Sequence, residues 1–256
     1  MTKNAPNILV ASIILIILFA LELLLAAGLY DAGLKFEYGD PRSFIVAVPA
    51  TGIVIATVMH FTGLSYRNLF HVSDSSAKNT FVVLAVPILL ICVGSSIWLT
   101  NGMHYLERVL PEDPITLQML ERILSGGALS LFVLCVLAPL LEEMLFRGII
   151  LRGFLNHYSP AKSIVLSSLL FGVFHANLYQ FISASIAGCF FAWLFYKSRS
   201  LWPSIFAHSI VNGCAFVLFN ASISPPYSFL STAIALFLSL LGFWVIHIIF
   251  YGNSLK

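Results

Sequence analysis

Charge is what this sequence has least of: only 9% of its 256 residues are Asp, Glu, Lys or Arg, while 59% are hydrophobic and the mean hydropathy is +0.96. Such a chain cannot bury its apolar residues in one soluble core, which excludes an ordinary globular domain. The net charge of +2 is small and its basic residues are scattered, which excludes a nucleic-acid surface. Cysteine is scarce as well. Cys92, Cys135, Cys189 and Cys214 all fall inside apolar runs without a CxxC pair, so they read as small core residues rather than disulfides or zinc ligands. No fixed-period repeat or low-complexity segment is present, and the ending "NSLK" is not a lipidation signal.

What is there is a series of apolar runs near the length of about 20 residues that a membrane-spanning helix needs. They fall at roughly 8–30, 44–65, 80–100, 124–147, 162–178, 180–197, 204–220 and 228–251. The expected fold is therefore all-α: a polytopic membrane protein of about eight transmembrane helices enclosing a polar intramembrane cavity. The first run is too long for a signal-peptide core and reads as a retained helix. With the N-terminus in the cytoplasm, the inside segments hold Lys3, Arg67, Lys78, Arg147, Arg152, Lys162, Lys197, Arg199 and Lys256. The outside loops hold Lys35, Arg42, Arg108 and Arg122. This split obeys the positive-inside rule and predicts both termini on the cytoplasmic side, with Arg147 and Arg152 weighing less because they suit a site.

Polar residues divide the chain. Residues 1–123 form helices one to three with polar loops, 124–220 form a polar-rich core, and 221–256 form a last transmembrane helix. The loop at 66–79 is polar; that at 101–123 is long and acidic, with a short interfacial helix expected after Pro114. The core holds "APLLEEMLFRG", "FGVFHANLYQF" and "WPSIFAHSIVNGC".

Positions four apart share a helix face, so Glu143 pairs with Arg147 while Glu142, rotated by about 100 degrees, points elsewhere. Phe171 and His175 share a face, as do His208 and Asn212. Singly, such residues serve as solvated boundary charges or as hydrogen bonds between helices. Together they come from three helices and supply a carboxylate, two imidazoles and an amide, each costing free energy in a bilayer unless partnered or wetted. A carboxylate beside an imidazole can deprotonate water, and an imidazole with an amide can stabilise the resulting oxyanion, which is what peptide hydrolysis inside a membrane requires.

At these residues the chain resembles the CPBP family, the CAAX-protease and bacteriocin-processing group of intramembrane endopeptidases that includes the Rce1-type proteases. Its EExxxR motif matches Glu142, Glu143 and Arg147; its FxxxH motif matches Phe171 and His175; its third motif matches His208 and Asn212. The resemblance covers roughly 125–220 and implies that Glu142 activates water with help from His175. It further implies that His208 and Asn212 stabilise the oxyanion, with Glu143, Arg147 and Phe171 in support. The implied partners are a membrane-tethered protein or peptide substrate and the lipid bilayer.

One glutamate with two histidines is also the donor set of a zinc site. HExxH is absent, however, and Asn212 is a poor zinc ligand but a good oxyanion donor, so no cofactor is expected, with zinc the alternative. Two other functions remain in view: a non-catalytic bacteriocin-immunity or regulatory protein, and a proton-coupled transporter. The latter could draw on Glu22 and His247, which lie in apolar helices outside the motifs. A tension in depth also stands. Counted from helix starts near 162 and 203, His175 lies about 20 Å deep but His208 only about 8 Å, which is reconciled if the fifth helix begins beyond the membrane surface.

Overall fold

The computed structural model describes residues 5–107, 113–221 and 229–252; Lys3, Arg108 and Lys256 lie outside them. The described chain is helical. α1 (Ile8–Asp31) and α2 (Phe44–Thr62) precede a short α3 (Tyr66–Phe70) and a long α4 (Ala77–Glu107). α5 (Pro114–Ser125) is a short helix where one was expected after Pro114, started by Asp113, whose carboxylate accepts from Ile115 N and from Thr116 Oγ1. The Thr116 hydroxyl holds that carboxyl below its usual range. There follow α6 (Gly127–His157), α7 (Pro160–Phe174), α8 (Leu178–Ser198), α9 (Leu201–Asn220) and α10 (Phe229–Tyr251).

Seven of these helices are long and apolar enough to cross a membrane, and α7, with 15 residues, is the shorter eighth. The chain is an integral, multi-pass membrane protein, with lipid-facing residues such as Leu9, Ile16, Leu23 and Leu24 left exposed along α1. The fourth apolar run does not end at 147 but continues as one helix to His157. Arg147 and Arg152 therefore sit in α6 and not in a loop, so Arg147, which is fully buried, carries no topological signal. The fifth run stops at Phe174 because His175 ends the helix and Ala176 turns left-handed at φ +56°.

Both the first and the last described helix ends lie at one face of the bundle. Ile8 N–H donates to Tyr158 Oη at the end of α6, and Arg152 reaches the carbonyls of Asn68 and Leu69. At the same face His71 bridges to Ser200, and Lys197 lies 4.2 Å over the Tyr251 ring.

The depth tension resolves at this face. α7 starts just after His157, whereas the start of α9 is level with Gly148, where Leu201 and Leu69 close on the missing side chain. Gly148 lies about 13 Å inward of His157, so His208, about 10 Å further along α9, meets the level of His175, about 22 Å along α7. α7 thus does begin farther out than α9.

Two apolar clusters carry the packing. One joins α1, α2 and α3 to α6, α7 and α8, so the N-terminal helices share a core with the motif helices. The other joins α4 to α8, α9 and α10. Without water to drive association, helices in lipid rely on close contact at small residues. A Cβ on Gly94 would lie 2.5 Å from the Ala235 carbonyl, and one on Gly242 would lie 2.7 Å from that of Pro87. Gly94→Leu or Gly242→Leu should therefore prise α4 from α10 and lower stability by about 1–3 kcal/mol, whereas Gly28→Ala, which meets nothing within 4 Å, should be neutral. Thermal melting in detergent distinguishes the two classes.

Candidate active site

The site begins with a proline. Pro139 has no N–H, and a proline inside a helix also crowds the preceding turn. α6 answers with a π-helical stretch at Val133–Leu137, a short α-helical Ala138–Glu143, and a second π-helical stretch at Met144–Leu151. Such widened turns occur at functional sites. In i→i−5 bonding the carbonyl left without a donor by Pro139 is that of Leu134. Asn212 on α9 fills the gap, donating Nδ2–H to it at 2.8 Å. The first and third motifs are thus tied through one orphaned carbonyl.

Glu143 and Arg147 pair as their spacing predicts: Arg147 Nη1 donates to Glu143 Oε1 at 2.8 Å, and the two side chains are 0% and 1% exposed. Two unpredicted contacts extend the pair. Arg147 Nη2 donates to the Gly188 carbonyl of α8 at 3.1 Å, and His208 Nδ1 donates to the same Glu143 Oε1 at 2.9 Å. The guanidinium also lies 4.4 Å from the Phe171 ring centroid and 5.3 Å from that of Phe191. Phe191 stacks on His208 at 5.0 Å, and Phe171 meets His208 edge-on at 5.6 Å. Glu143 therefore does more than neutralise Arg147: it orients an imidazole.

Glu142 is turned away from the pair. Its Oε2 is buried without a hydrogen bond and faces His208 Nε2 at 3.8 Å, beyond direct hydrogen-bond reach. His175 is held differently from its expected place beside Glu142. Its Nδ1 bonds the Phe171 carbonyl at 2.9 Å, its ring stands edge-on to Phe171 at 5.0 Å, and no hydrogen bond joins it to Glu142. The imidazole next to Glu142 is that of His208. Because a carbonyl and a carboxylate oxygen only accept, both histidines donate from Nδ1, which leaves Nε2 of each outside those bonds. Asn177 braces the turn after His175, donating to its carbonyl at 3.0 Å and capping α8 through Gln180 N–H.

A cavity of about 840 Å³ opens against this cluster. Phe171, His175, His208 and Asn212 stand on its wall, whereas Glu142, Glu143 and Arg147 lie behind them. The rest of the wall is mostly apolar, with Trp98, Leu99, Phe190, Trp193 and Phe243. The cavity is thus polar at one side only. Among the described residues no group of three or more His, Cys, Asp or Glu converges to hold a metal ion.

Gly188, Phe191 and Ser204, whose Oγ holds the Phe191 carbonyl at 2.9 Å, were missed from sequence. A Cβ on Gly188 would lie 3.2 Å from Arg147 Nη2, and nothing local in "SIAGCFFAW" sets that glycine apart. Pro139, three residues before the glutamates, was a legible signal for the altered helix.

Asn212→Leu should cost about 1–3 kcal/mol by stranding the Leu134 carbonyl. The loss should shrink when Pro139→Ala restores a backbone donor. A double-mutant cycle of melting temperatures measures the coupling; additive losses would refute it.

Residues 124–214 match the sequence model described as "Type II CAAX prenyl endopeptidase Rce1-like". The chain is also similar to a protein of Bacillus subtilis (strain 168) named "Putative membrane peptidase YdiL", 30% identical over 109 residues. That stretch is 43% of this chain and 44% of the relative, so the match spans less than half of either. No solved structure matches the chain. The matched segment contains every residue of the three motifs, so the likeness falls on the residues gathered at this site.

Proposed function

We propose that this protein is an intramembrane endopeptidase that hydrolyses a peptide bond near the C-terminus of a membrane-tethered protein or peptide, of the CaaX or sorting-signal kind. The observation that carries this reading is the unbonded Oε2 of Glu142 facing Nε2 of His208 at 3.8 Å, next to a cavity that His175, His208 and Asn212 line. Its support in kinship is the Rce1-like match and a relative with a peptidase name.

In this mechanism Glu142 and His208 Nε2 hold one water between them. Glu142 takes a proton as the water oxygen bonds to the scissile carbonyl carbon. The proton that remains on the attacking oxygen passes to His208 Nε2, and the oxyanion accepts from that imidazolium and from the second Nδ2–H of Asn212. Glu143 at Nδ1 favours the imidazolium as charge develops, as an orienting carboxylate does in a catalytic triad. When the C–N bond breaks, Glu142 returns its proton to the leaving amine. His175, with Nε2 on the cavity wall, orients the water or the peptide from the opposite side. The volume and apolar wall suit a peptide end that arrives through lipid.

Among the described residues no set of three or more donors converges on one point, which favours metal-free catalysis over zinc. The placement of Arg152, Lys162, Lys197 and Arg199 near the face that carries both described chain ends supports cytoplasmic termini.

Comparing the C-termini of proteins in cells with and without the gene identifies substrate and scissile bond. On that substrate Glu142→Gln should lower turnover by about 10²–10⁴-fold with unchanged melting; full activity in this variant would sink the proposal. Glu143→Gln should lower melting as well, by about 3–5 kcal/mol, because it leaves Arg147 buried without its counter-charge. Chelation should leave cleavage intact, and a stoichiometric zinc whose removal abolishes it would overturn the metal-free mechanism.

A further inference from the structure

The cavity beside the site is not centred on it. Its wall leans away from the face that carries the first and last described helix ends. On α4 it takes Ile91 to Thr100, about 21–34 Å beyond the start at Ala77. On α9 it begins at His208 and reaches Leu218, two residues before the helix ends, and on α8 it begins at Gln180, in the first turn. α7 contributes only Phe171, in its last turn, and His175, its cap. α5, which follows α4 at the opposite face, contributes Leu120 and is tied to the end of α9, where Asn220 donates to the Leu124 carbonyl at 2.9 Å. Trp193 and Phe243 mark the innermost reach of the wall on α8 and α10.

Toward the chain ends the cavity is shut. Phe250 meets the Trp193 ring edge-on at 5.6 Å, and Phe81 of α4 meets Phe206 of α9 edge-on at 5.1 Å. Leu84, Ile88, Leu194, Ala207 and Ile246, all buried, form one cluster with Trp193, Phe206 and Phe250. Beyond the Glu143–Arg147 pair, Leu69, Phe146, Phe154 and Leu201 are fully buried in the other cluster. Interiors packed in this way hold few voids larger than a water molecule, so no peptide passes through them.

Polarity follows the same axis. Phe190, Trp193 and Phe243 stand at the shut end, whereas Ser95, Thr100, Gln180 and Ser183 stand toward the other. The hydroxyls of Ser95, Thr100 and Ser183 donate to carbonyls of their own helices, so their oxygens keep capacity to accept. The Trp98 indole N–H, on the same wall, is a buried donor without a partner. Such a mixture suits a polypeptide backbone, which offers donors and acceptors in turn; a hydrocarbon chain would need neither.

We propose that the substrate enters from the face opposite the described chain ends. Its backbone lies along the polar wall of α4 and α8, its apolar terminal residues lie against Phe190, Trp193 and Phe243, and the scissile bond falls between, at His208 and Glu142. The substrate class is thus a membrane-tethered tail presented on the far side, with apolar residues after the cleaved bond. With the termini in the cytoplasm, that is an exported tail of the sorting-signal kind rather than a cytoplasmic CaaX end. What the cavity takes in rests on the endopeptidase reading; where it opens does not.

The test is labelling with a membrane-impermeant maleimide, applied to intact cells expressing the full-length protein and to inverted vesicles made from them. Cys92, Cys135, Cys189 and Cys214 are replaced by alanine and one cysteine is introduced at a time. Asp74→Cys, in the exposed turn before α4, reports the side of the chain ends. Thr100→Cys and Ser183→Cys report the cavity, and both should react only in the preparation in which Asp74→Cys does not. Reaction from the side of Asp74, or from neither side, would overturn the proposal. In the chain with its own four cysteines, Cys189 on the cavity wall gives the same readout by peptide mass spectrometry, which keeps the test decisive if the cysteine-free variant fails to fold. Proteolysis without far-side labelling would sink this route and leave the endopeptidase reading standing. Far-side labelling of a protein that cleaves nothing would do the reverse.

Discussion

Arg147 and Glu143 are held together in a place where neither charge could persist alone. The pair is buried to 1% and 0% exposure in a helix that crosses the apolar layer, and the desolvation of two such ions is offset only when their remaining hydrogen bonds are met. The surrounding architecture supplies part of them, leaving Glu143 Oε2 and Arg147 Nε buried without a hydrogen bond. α8 offers the Gly188 carbonyl to the guanidinium, α9 offers His208 to the carboxylate, and Phe171 and Phe191 place their ring faces about the cation. Three helices are thereby oriented by one ion pair, and the imidazole of His208 acquires a fixed tautomer as a result.

A second constraint works on the backbone of the same helix. Pro139 interrupts the hydrogen-bond ladder of α6, the turns on either side widen, and the carbonyl of Leu134 is left for Asn212. The amide named from its spacing to His208 is thus partly a structural ligand of the helix opposite. With one N–H engaged, its position is set for whatever meets the other. In lipid no water can satisfy a stray carbonyl, so the interruption of α6 and the presence of Asn212 are two halves of one arrangement.

These ties leave Glu142 outside the bonded network, its buried Oε2 facing Nε2 of the bonded His208 imidazole at 3.8 Å. A carboxylate so poised contributes nothing to packing that glutamine would not. Its neighbours make the distinction between the two glutamates physical, since Glu143 completes a charge network and Glu142 borders one.

Composition alone determined that this chain lives in a membrane, because so little charge admits no other solvent. The i,i+4 spacing alone determined that Glu143 meets Arg147 and that Phe171 meets His175, because those contacts lie within one helical turn. The start of α5 was legible from Asp113 and Pro114, a local cap. Contacts between helices were not legible. Which imidazole stands beside Glu142, why His175 and His208 reach the same level, and which carbonyl Asn212 serves depend on where α7 and α9 start relative to α6. That offset is decided by Leu69 and Leu201 closing on Gly148. The end of α7 at Phe174 and the continuation of α6 to His157 were likewise hidden, since hydropathy does not change at either boundary. Sequence spacing encodes neighbours along one helix; neighbours across helices are set by close packing, which only the tertiary structure resolves.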